Sequence, residues 1–142
     1  MSTELIVYVL TGLAAVVILL TRLRLSQDEG GAGRADVGRT TLNVHTTAGV
    51  LALAAWLVFL FGDEQLGDDR TAIVGIAALS LWWIVVIAGL LILVRWLPSH
   101  GKHASTGKQD SWSEGPGLSV LAHVGMLVGV SVFTYAYLTS AV

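Results

Sequence analysis

Residues 71–94 read TAIVGIAALSLWWIVVIAGLLILV, twenty-four positions without a single charged side chain. About 20 helical residues at 1.5 Å each cover the ~30 Å hydrocarbon core of a bilayer, so this run is long enough to span one. It must do so as a helix, because an open strand would leave backbone N–H and C=O groups unpaired in lipid. Working outward, Leu42 to Phe61 and Leu118 to about Leu138 are runs of the same kind. Leu5 to Thr21 is a fourth, and it lacks both a basic leader region and a small-residue cleavage signature, which makes it a retained helix. Every Asp, Glu, Lys and Arg lies outside these runs. The sequence therefore predicts an all-α integral membrane protein, one antiparallel four-helix transmembrane bundle over residues 1–142. Its spans are at about 5–21, 42–61, 71–94 and 118–138, with flexible loops at 22–41 and 95–117.

Composition supports the same class. Hydrophobic residues make up 54% of the 142 positions, charged residues only 13%, and the mean hydropathy is +0.74, which excludes a soluble enzyme. There is no cysteine, so disulfides, thiolate nucleophiles, cysteine-held zinc, iron–sulfur clusters and covalently attached c-type haem are excluded. A net charge of −2 offers no field for nucleic acid.

The basic residues orient the spans. Arg22, Arg24, Arg34, Arg39, Arg95, Lys102 and Lys108 fall in the two longer loops, and only Arg70 falls in the short connection Gly62 to Arg70, which carries Asp63, Glu64, Asp68 and Asp69. The positive-inside rule then places both longer loops in the cytoplasm and both termini outside. Tyr135 and Tyr137 come to the outer interface and Trp96 to the inner one. Size and an Ala/Val/Leu/Gly-rich composition suggest a bacterial inner membrane.

Polar residues within the spans are few. The absence of carboxylates and basic groups argues against a proton-coupled transporter, a pump or a charge-lined channel, and it excludes paired-aspartate proteolysis and Ser-His-Asp catalysis. No constellation for an enzyme acting alone remains. Two histidines do remain, His45 three residues into the second span and His123 five residues into the fourth. Both spans start at the same face, so the imidazoles are expected at matched depth, about 5 to 8 Å inside the boundary. Two neutral imidazoles at one level on different helices of a bundle can hold a haem iron from both sides. Gly49 follows His45 by one turn, with Ala48 and Ala52 nearby, and Gly125 and Gly129 follow His123, offering small residues where a flat macrocycle can lie. Arg39 is near enough in sequence to reach a propionate.

His45-Thr46-Thr47-Ala48-Gly49 at the start of a span resembles the His-x3-Gly of cytochrome b561-like and related b-type membrane cytochromes. The resemblance covers this motif and the four-helix plan, and with two intramembrane histidines it implies at most one bis-histidine haem b. The site residues are then His45 and His123 as iron ligands, with Arg39 and Gly49 against the cofactor. The function expected is electron relay to or from quinone or a larger respiratory complex. The other reading of the same residues is a cofactor-free accessory or assembly subunit, in which the histidines are interhelical hydrogen-bonding groups and small-residue seams pack against neighbouring membrane subunits.

Other features are less specific. Gly125-Met-Leu-Val-Gly129 is a GxxxG that serves either packing within the bundle or a homodimer face. Trp82 and Trp83 lie near mid-membrane and must face different ways, filling the bundle, meeting lipid or walling a cofactor. His100 and His103, with Asp110 and Glu114 beyond them, read as solvated loop residues beside Lys102 and Lys108 rather than as a metal site. Gly101 to Gln109 fails the spacing and context of a phosphate-binding loop. Leu42-Asn43-Val44 and Leu118-Ser119-Val120 open their spans alike, which suggests a two-plus-two repeat, although in that alignment His45 and His123 are offset by two positions.

Overall fold

The computed structural model describes residues 2–27, 39–99 and 117–142, and all of the secondary structure among them is helical. Helices α1 (Thr3–Gln27), α2 (Arg39–Phe61), α4 (Asp68–Ser99) and α5 (Gly117–Leu138) are long, and α3 (Asp63–Leu66) is a single turn in the connection between α2 and α4. Three stretches, Asn43–Phe61, Asp68–Val94 and Val120–Leu138, are long and apolar enough to cross a membrane. Where four were expected, the apolar part of α1, Thr3–Leu19, is shorter than these. The helices also outrun the apolar stretches: α1 continues through Arg22 and Arg24, and α4 through Arg95 and Trp96. Hydropathy ends where charge begins, but Leu and Arg are both good helix formers, so the backbone hydrogen-bond ladder continues past that point.

Side-chain pairings set the topology. Tyr8 stacks on Phe61, Thr11 meets Trp56, and Gly49 faces Ile18, so α1 and α2 run antiparallel. His45 reaches Val85 while Phe59 lies over Gly75, so α2 and α4 do likewise. Trp82 packs on Phe133 and Tyr137 donates to the Ala72 carbonyl, which makes α4 and α5 antiparallel as well. Backbones approach between α1 and α2, α2 and α4, α4 and α5, and α5 and α1, but not across the diagonals. The arrangement is a four-helix square with α2 diagonal to α5 and parallel to it.

The interior is built from a period of three and four. On α4 the buried positions are Thr71, Gly75, Ala78, Leu79, Trp82, Val85, Val86, Ala88, Gly89 and Leu93, and all but Ala88 fall on one stripe of a 3.6-residue helix. Trp82, on that stripe, is fully buried, whereas its neighbour Trp83 is 36% exposed and donates to the Thr134 hydroxyl at 3.3 Å. The two tryptophans face apart as the helical period demands, Trp82 filling the bundle. Trp56 and Phe133 stack at 4.7 Å between ring centres, and Phe59 and Tyr137 continue the aromatic column toward the α2–α4 connection.

The close approach at Gly75 explains its residue type. A Cβ there would stand 2.7 Å from the Tyr137 ring and 2.8 Å from that of Phe59, so only glycine lets both aromatics reach the α4 backbone. Gly67, at φ +77°, supplies the left-handed residue that turns the chain from α3 into α4.

One polar link crosses this core. The Trp56 indole N–H donates to Thr11 Oγ1 at 3.1 Å, and that hydroxyl donates in turn to the Val7 carbonyl at 2.8 Å. Thr11→Val keeps the volume but leaves a fully buried indole N–H unpaired, which costs about 1–3 kcal/mol. Denaturant unfolding of the variant in detergent should show a loss of that size.

Candidate functional site

His45 and His123 converge. Each lies six residues from the start of its helix, α2 at Arg39 and α5 at Gly117, which places both about 9 Å along the axis from the same end of the bundle. Their ring centres are 6.3 Å apart and their planes differ by 24°. The helices that carry them are diagonal partners, so the rings face one another across the interior. The offset of two positions in the sequence repeat vanishes in space. His45 with His123, Trp56 with Phe133 and Phe59 with Tyr137 are separated by 78, 77 and 78 residues, and these pairs give the true register of α2 against α5.

The third helix completes the site. His45 Nδ1 lies 3.1 Å from the Val85 carbonyl oxygen on α4. A carbonyl can only accept, so Nδ1 carries the hydrogen, and in the neutral ring the lone pair then resides on Nε2. A ring nitrogen fixed in this way is the arrangement that orients a metal-binding imidazole. Gly89, one turn further along α4, touches both rings: a Cβ there would stand 2.8 Å from Cδ2 and 3.3 Å from Nε2 of His123, and 3.3 Å from Cε1 of His45. α4 therefore lies against both rings. Val85 and Gly89 were not legible in the sequence as site residues, since nothing in an apolar run shows which of its members will lie opposite a histidine forty residues away.

Gly49 is buried one turn from His45. Its hypothetical Cβ meets Ile18 of α1 at 3.6 Å and Val85 at 3.9 Å, ordinary contact distances. Gly125 and Gly129 have nothing within 4 Å on that side, so among the described residues the GxxxG does not bring α5 against another helix of this chain. Arg39 opens α2, and its side chain lies outside the described residues, as do His100, His103, Asp110 and Glu114. Among the described residues no group of three His, Cys, Asp or Glu side chains could hold a metal ion by itself.

The pair offers two nitrogen donors. Two imidazoles on opposite sides of one metal, each about 2 Å from it, have ring centres about 6 Å apart, close to the separation seen here. A metal held by these two nitrogens would need its remaining ligands from a cofactor. Gly89→Ala tests how tightly the pair is seated. The added methyl must displace the His123 ring, an overpacking cost of about 1–3 kcal/mol, and any absorbance that depends on both imidazoles should fall more than helix content measured by circular dichroism.

The chain shows no significant similarity to any family model, curated protein sequence or solved structure. Fold and site therefore define a class: an all-helical bundle with helices long and apolar enough for a membrane and a pair of histidines inside it.

Proposed function

We propose that the protein is a small b-type haem protein of a bacterial inner membrane that relays electrons in or beside a respiratory complex. The observation that carries the proposal is the meeting of His45 and His123 at one depth on diagonal helices, 6.3 Å apart. In this reading α1 is a fourth span, both termini are outside, and the basic loops place the histidines in the cytoplasmic half of the bilayer.

His45 and His123 would hold the iron, with Nε2 of His45 presented by the hydrogen bond that Nδ1 donates to Val85. A haem held by His45 and His123 would supply one-electron transfer. The chain's own contribution is orientation and exclusion. Val85 fixes the His45 ring, Gly89 sets how near α4 comes to the pair, and the aromatic column of Trp56, Phe133 and Trp82 fills the bundle beyond it. Among the described residues the buried polar side chains are Thr11 and Thr71, neither of them titratable. Lipid surrounds the outer faces, and exchange of electrons requires other membrane subunits or a lipid-soluble carrier.

The contacts of His45 also favour a second reading. Its bond to the Val85 carbonyl ties α2 to α4, which is the role expected in a cofactor-free accessory subunit. The reduced-minus-oxidised spectrum of protein purified in mild detergent from haem-replete cells separates the two. A Soret band with a reduced α-band is expected; a colourless, folded preparation would leave the accessory role.

A further inference from the structure

We infer that the outer groove between α1 and α2 holds one anionic phospholipid, with an acyl chain along the groove and the phosphate at the level of Arg22, Thr46 and Thr47. The inference rests on the membrane setting of the bundle and is independent of the haem.

Uneven packing creates the groove. α2 lies against α4 along its length but meets α1 only lightly, which leaves an open furrow of about 560 Å³ on the outside of the bundle. Ala15 and Ile18 line it from α1 and Val50 and Leu53 from α2, while Thr46 and Thr47 add hydroxyls at one end. From Thr46 to Leu53 the α2 wall runs about 10 Å along the helix axis. A lipid chain suits such a furrow, because neighbouring tails close the side that the protein leaves open.

The polar end selects the lipid. Ile18 faces Gly49 across antiparallel helices, so one turn onward along α1 and one turn back along α2 bring Arg22 and Thr46 to nearly the same level. Arg22 is four residues after Ile18 and seven after Ala15, the spacing that keeps it on the groove face of α1. Arg24 is about 200° round the helix from Arg22 and falls on the opposite face. α1 has no carboxylate after Glu4 and α2 has none, so neither helix neutralises this end of the groove. A guanidinium suits a phosphate bidentately, and the threonine hydroxyls can donate to its remaining oxygens. Basic mouths between membrane helices recruit anionic headgroups by this chemistry.

The test uses full-length protein in mild detergent, mixed with phosphatidylglycerol and phosphatidylcholine of identical chains, with the retained lipid counted by native mass spectrometry. The wild type should hold one phosphatidylglycerol per chain, preferred at least about fivefold over phosphatidylcholine, the discrimination one basic group confers. Arg22→Gln should bring that ratio to about one, whereas Arg24→Gln, on the other face of α1, should keep it. Ala15→Phe fills the groove and should lower retention of either lipid at least about tenfold, while Ile87→Phe on the exposed face of α4 leaves it unchanged. His45→Ala should retain the lipid as the wild type does, which separates this site from the haem. Equal retention of the two lipids by the wild type, an unchanged preference in Arg22→Gln, or full retention in Ala15→Phe would each overturn the site.

Discussion

His45→Ala and His123→Ala should each abolish the Soret absorbance of the purified protein, not merely reduce it. The two rings are the only imidazoles that the described helices bring together, and the described residues contain no third histidine within reach to replace either. Loss of one ligand leaves a single axial bond in a site whose other contacts are apolar, and a haem held by one imidazole and dispersion alone leaves with the detergent. The variants should still fold. Truncation of His45 removes one bond to Val85, worth about 1 kcal/mol, and neither ring belongs to the fully buried core. Circular dichroism and monodispersity should therefore be close to wild type while the colour is lost. A cofactor-free accessory subunit predicts the reverse ordering, with changed assembly and no spectral difference.

Trp56→Ala should be the most damaging single substitution for stability, by about 3–5 kcal/mol. Trp56 is fully buried, stacks on Phe133 at 4.7 Å, packs tilted against Phe59 at 5.0 Å, and donates to Thr11. Its removal empties the middle of the square, where it touches elements on three helices. Trp83→Ala provides the contrast. Its ring is partly exposed and held by one long bond to Thr134, so about 1 kcal/mol is the expected loss. Denaturant titration of both variants in the same detergent should show this difference, and equal losses would contradict the packing described for the two tryptophans.

The helices were legible in the sequence because hydropathy is a property of consecutive residues. A run such as 71–94 needs no knowledge of its neighbours to be recognised, and the charges that bound it fix where lipid ends. Helix ends were less so, since Arg22 and Arg95 terminate an apolar run without terminating a helix. The matched depth of His45 and His123 was also legible, because depth follows from counting residues from a common face. What lay opposite them was not. Which turn of α4 meets the pair depends on the length and course of the connection at Gly62 to Gly67, including the one-turn α3 and the left-handed Gly67, and a shift of one residue there would rotate α4 by about 100°. Val85 and Gly89 enter the site only through that register. The neighbours of Gly49 were likewise not legible: in the fold it faces Ile18 of α1 and Val85 of α4.

Membrane insertion accounts for the exposed surface. Leu13, Leu19, Ile73, Ile87, Val94, Leu121 and Leu138 are each more than half exposed, a pattern that would aggregate in water and that lipid tails cover without cost.

The central claim is that one iron lies between His45 and His123, and low-temperature electron paramagnetic resonance of the oxidised, purified protein tests it most directly. The account predicts a low-spin ferric signal of a bis-imidazole haem at one spin per chain, absent from either His→Ala variant. A high-spin ferric signal that persists in those variants, or no ferric haem signal in protein from haem-replete cells, would contradict it.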